Sequence, residues 1–117
     1  MDTLEDIVLK AVDEVAEQSG DKVTKMLVDL FKGSILKKYK TAFDKDLSEG
    51  CVRRNTLDKA VDYCFSDACF KYRGMPIDGI SDDAKEKDIA SFKLRLGELK
   101  DNMQIVLEVN GIKVVTS

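Results

Sequence analysis

Apolar residues recur along most of this chain at intervals of three and four, the spacing that lines one face of an α-helix. Leu4, Ile7, Val8, Ala11, Val12, Val15 and Ala16 form the first stripe. Thr3 with Asp6 makes a capping-box-like start, and Gly20 marks a stop, so a helix is expected over about residues 3–19. Asp21 then caps a second helix, expected over 21–43, in which Val23, Leu27, Phe31, Ile35, Tyr39 and Phe43 climb by a steady four residues. Met26 and Leu30 widen that stripe. Gly33 and Ser34 sit halfway along it and weaken the helix by about 1 kcal/mol relative to alanine, which leaves a kink or break there open.

Residues 44–55, DKDLSEGCVRRN, read as the first loop. Asn55 is placed to cap a third helix over 55–73, with Leu57, Ala60, Val61, Cys64, Phe65, Ala68 and Tyr72 on its stripe and Gly74 at its end. The Gly-, Pro-rich stretch 74–81 is a second loop. Ser81, Asp82 and Asp83 then open a fourth helix over 82–101, whose core positions are Ile89, Phe92, Leu96 and Leu99.

Beyond it the pattern is ambiguous. Helical spacing can be continued through Met103 and Val106, but Asn110-Gly111 lies between Val- and Ile-rich runs, the strongest short-range signal for a β-hairpin. Pairing across that turn sets Val109 against Ile112, Glu108 against Lys113 and Leu107 against Val114. The expected fold is therefore mainly α, one domain over 1–117, with about four amphipathic helices packed as a small bundle and a C-terminal β-hairpin over about 104–116.

Composition narrows the partners. The chain has 117 residues, enough to bury a core without metal or disulfide staples. Its net charge of −3 gives no global attraction to nucleic acid or anionic membrane. Charge is uneven, however: six acids and one lysine in residues 1–20 are followed by six lysines and two acids in 21–40. Lys32, Lys37, Lys38, Lys40, Arg53 and Arg54 form the candidate basic patch, and a solvated helix face is the simpler account of it. No apolar run is long enough for a membrane span. The acidic N-terminus does not read as a secretory signal, and three cysteines, an odd number, favour a reducing, cytoplasmic setting.

Candidate chemistry is sparse. There is no histidine, which removes the commonest general base and most transition-metal sites. Cys64 and Cys69 are five apart, about 140° around a helix, so they share neither a metal nor a disulfide while the helix persists. Cys51 lies in the loop two residues before Arg53 and Arg54, cations that favour a thiolate, and is the candidate reactive thiol. Asp44, Asp46 and Ser48 match the first ligand positions of a calcium loop, but Glu49 and Asn55 stand where a glycine and a bidentate glutamate are required. No phosphate-cradling glycine motif occurs, and no cofactor is implied.

These features favour a non-enzymatic helical protein–protein interaction module. It would self-associate, as a homodimer, through the hairpin edge Ile112, Lys113, Val114, Val115 and Thr116, which nothing but Lys113 blunts. The alternative is a small secreted effector or ligand carrier with a Cys51–Cys69 or Cys51–Cys64 disulfide and an inter-helix cavity or inhibitory surface.

Overall fold

A computed structural model describes residues 6–7, 9–10, 13–14, 17 and 25–116. The early positions among these are helical, and Ile7 is buried in the core, as its place on the first stripe predicts. The start signals at Thr3 and Asp21 and the stop at Gly20 lie outside the described residues. From residue 25 the chain runs α1 (Lys25–Ser48), β1 (Cys51–Arg53), α2 (Arg54–Gly74), α3 (Asp82–Lys93), α4 (Leu96–Val109) and β2 (Lys113–Val115). The protein is mainly helical with one small sheet.

Helix α1 is continuous through Gly33 and Ser34 and does not break there. Burial supplies the reason. Leu27, Phe31, Ile35, Tyr39 and Phe43 are all buried, and packing of that face outweighs one poor helix former. Helix α2 packs against α1, α3, α4 and β1 and so forms the hub of the fold. Three rings join the layers: Phe92 of α3 lies 5.5 Å from Phe31 of α1 and 5.6 Å from Phe65 of α2.

The fourth predicted helix is divided in two. Ile89, Phe92, Leu96 and Leu99 are buried as expected, but α3 stops at Lys93, where Arg95 N–H donates to the Phe92 carbonyl at 2.8 Å, an i→i−3 bond. Helix α4 restarts at Leu96 and runs to Val109.

That extension removes the hairpin. The residues 104–109 assigned to its first strand are helical, with Met103, Val106 and Leu107 completing a buried helical stripe. Asn110-Gly111 is the helix C-terminus. Gly111 has φ +84°, whereas Asn110 has φ −92° and does not enter the left-handed region that a type I′ turn requires at both positions. Gly111 N–H donates to the Glu108 carbonyl at 3.0 Å and Ile112 N–H to the Leu107 carbonyl at 2.9 Å. Those two bonds are the Schellman pattern, and Ile112 packs on the core beyond them as the motif's apolar partner.

After the cap, β2 pairs with β1, in parallel, with Cys51 opposite Lys113, Val52 opposite Val114 and Arg53 opposite Val115. The segment 113–115 is thus a strand as expected, but its partner lies sixty residues upstream and the pairing direction is reversed. Val52 and Val114 face the core, and the flanking pairs face outward.

The predicted loop 44–55 is mostly structured. Helix α1 extends through its first half, β1 and the start of α2 fill its second, and Gly50 (φ +86°) makes the turn between. The N-cap of α2 is Arg53, not Asn55. Arg53 has no side-chain cap of its own, and its N–H donates instead to Asp46 Oδ2 at 2.9 Å. Arg53 Nε and Nη2 donate to Asp46 Oδ1 at 3.1 and 2.6 Å. Asp46 is only 2% exposed, and the hydrogen bonds from the Arg53 side chain and then its backbone pull its carboxyl down from 3.8 to about 2. Thr56 adds a further hydrogen bond.

At the opposite end of α2, Lys85 of α3 is buried, and its ammonium donates to the Arg73 and Met75 carbonyls, satisfying the helix C-terminus where positive charge is favoured. Ser81 caps α3 as predicted, its Oγ accepting from Ala84 N–H at 3.1 Å.

Two outcomes are expected in urea unfolding monitored by circular dichroism. Asp46→Ala loses about 2–3 kcal/mol at neutral pH, since it leaves the Arg53 N–H without its acceptor. In the parent chain the folded carboxyl titrates below its unfolded value. Its contribution of about 2 kcal/mol is complete above pH 3.8 and disappears as pH falls toward 2, a loss that Asp46→Asn does not show. Glycine replacements separate helix interior from cap. Gly33→Ala, with open space around its Cβ, gains about 1 kcal/mol, and Gly111→Ala, at positive φ, loses about 1 kcal/mol.

Candidate functional site

Three of the six cations of the basic patch are engaged by acids. Lys32 pairs with Asp13, Arg53 with Asp46, and Arg54 with three acceptors. Arg54 Nε meets Asp58 Oδ1 at 2.8 Å, Nη1 meets Gln104 Oε1 at 2.7 Å and Nη2 meets Asp101 Oδ1 at 2.8 Å. It is a strut from the first turn of α2 to α4, and those partners, Asp58 first, hold its charge more firmly than usual. Lys37, Lys38 and Lys40 remain on α1, all exposed.

The calcium-like pattern of residues 44–55 also has an internally engaged acid. Asp46, its second matching position, turns its carboxylate inward to Arg53. Among the described residues no three Cys, Asp or Glu side chains converge as a metal site.

All three thiols are free. Cys64 and Cys69 are buried on α2, and burial pushes both thiols up, away from reactivity. Cys51 is half-buried in β1, on the outward-facing side of the sheet with Arg53. Of the two guanidinium groups expected to activate it, Arg53 is held on Asp46 and Arg54 on Asp58, Gln104 and Asp101.

Of the expected interaction edge, Lys113, Val114 and Val115 form β2, Ile112 belongs to the helix cap, and Thr116 follows exposed. One edge of β2 is occupied by β1, and among the described residues no third strand covers the other. Close in sequence, Ile105 and Val109 lie one turn apart on α4, 57% and 79% exposed.

A second feature was legible only in pieces. Ser34 neighbours Asp67, Lys38 stands over Tyr63 and Asp46 binds Arg53, so α1 and α2 run antiparallel. That register brings Ala42 of α1 to Ala60 of α2, where two small side chains leave a groove. Lys38 and Lys59 flank it, with the Lys38 ammonium 5.3 Å from the centre of the Tyr63 ring. Lys38 and the exposure of Tyr63 can be read from the sequence, but Lys59 becomes part of a site only through the helix register.

With native protein and limiting iodoacetamide, alkylation is expected at Cys51 first, with Cys64 and Cys69 modified only on unfolding, as peptide mass spectrometry would register. Compared with known protein families, curated proteins and solved structures, the chain matches none.

Proposed function

We propose that the protein is a non-catalytic interaction module that self-associates by adding strands at the edge of β2 that no strand among the described residues covers. The observation that carries this reading is the sheet itself. Two parallel strands of three residues fall below the size at which a sheet stands alone, and parallel strands are ordinarily covered by neighbours. A second copy supplies a strand of matching length, giving the order β1-β2-β2-β1 about a twofold axis.

Side-chain register favours this pairing. If two β2 strands meet antiparallel about Val114, each Lys113 lies opposite Val115 of the other copy, so the lysines avoid one another. The exposed Ile105 and Val109 add apolar surface on the neighbouring helix. The absence of histidine supports the non-catalytic part of the reading.

Sedimentation velocity across a concentration series tests it, with a monomer–dimer equilibrium as the expected result. Val115→Lys sets lysine against Lys113 twice and weakens the dimer about tenfold, whereas Val115→Glu creates two opposite-charge pairs and tightens it by a similar factor. A monomer at every concentration, or the same response to both substitutions, overturns the proposal.

A further inference from the structure

We propose that the groove between α1 and α2 is a binding site for a small organic anion, one with an apolar body carrying a single carboxylate, sulfonate or phosphate group. The site is separate from the β2 edge and stands on different observations.

The groove holds about 460 Å³, within the range of small-molecule sites. Its surface is mostly apolar, made by Ala42, Ala60, the Tyr63 ring and the Thr41 methyl. Two small side chains, Ala42 and Ala60, face each other across the helix register there.

Its lining is cationic, with two lysines and no acid. Each neighbouring carboxylate on α2 has another cation: Asp58 binds Arg54, Asp62 binds Lys100 and Asp67 binds Lys71. Among the described residues neither Lys38 nor Lys59 has a carboxylate within ion-pair distance, Lys38 acting on Asp67 only from farther away, and both line the same apolar floor. The Lys38 ammonium lies 5.3 Å from the centre of the Tyr63 ring, which holds it beside a residue of the groove lining. Two lysines lining a mostly apolar groove match a ligand that is anionic at one end and apolar at the other.

The probe is 8-anilinonaphthalene-1-sulfonate, an anion with an apolar body, and its uncharged counterpart is N-phenyl-1-naphthylamine. Saturable one-to-one binding of the anion is expected by fluorescence titration, with amide shifts at Thr41, Ala42 and Ala60. The uncharged compound binds at least about tenfold more weakly. Lys38→Gln combined with Lys59→Gln weakens the anion by about tenfold or more while leaving helical content and melting temperature intact. Ala42→Leu, which fills the groove and keeps both lysines, also lowers affinity. The proposal is overturned by unchanged affinity in the double variant, by equal binding of the uncharged compound, by shifts confined to Ile105 and Val109, or by no binding up to about 1 mM.

Discussion

Asp46 lies near the end of α1 and Arg53 at the end of β1, and the three hydrogen bonds between them determine how the chain turns from one helix into the next. Burying a carboxylate is unfavourable unless its oxygens are satisfied, and here a backbone N–H and two guanidinium N–H groups satisfy them. The same contact serves three elements. It ties down the last turn of α1, fixes β1 as it leaves Gly50, and holds the N–H of the residue that caps α2. Since β2 has no strand partner other than β1 among the described residues, the exit of α4 also depends on where this clamp places Cys51–Arg53.

Helical packing was legible because burial repeats with the helix period. The stripes through Phe31, Ile35, Tyr39 and Phe43 and through Leu57, Val61, Cys64, Ala68 and Tyr72 are buried as the spacing requires. The break at Leu94 and Arg95 was not legible. Ile89, Phe92, Leu96, Leu99 and Met103 keep their three- and four-residue steps across it, so a local tightening of the backbone leaves the apolar pattern unchanged. Nor could the Asp46–Arg53 clamp be read directly. A seven-residue separation across a turn has no period, and the acids around it imitate an ion-binding loop instead.

The Asn-Gly pair shows how one signal supports two structures. A glycine at positive φ closes both a hairpin and a helix, and the apolar residues on either side serve both. What separates them is the continuation upstream. Leu99, Met103, Val106 and Leu107 bury a helical stripe against the core, and a hairpin in the same register would turn Val106 away from it. The β-branched residues after Leu107 carry a weaker preference than that burial. Gly50 performs a similar task at the end of α1, so both strands leave a helix through a positive-φ glycine. The candidate groove was illegible for a different reason, because Lys59 meets Lys38 only once α1 and α2 are in register.

Replacing a hairpin by a parallel pair also changes what the sheet reports. A hairpin closes through two residues and can form locally, whereas β1 and β2 are separated by α2, α3 and α4. Bringing their ends together in a flexible chain carries an entropic penalty that three-residue strands cannot offset. The penalty is met by the helices, through the Arg54 strut from α2 to Asp101 and Gln104 of α4 and the aromatic contacts that seat α3. The edge of β2 therefore exists in register only when the helices are packed. Any partner that adds a strand there reads the folded state of the whole helical layer, and its binding stabilises that layer in return.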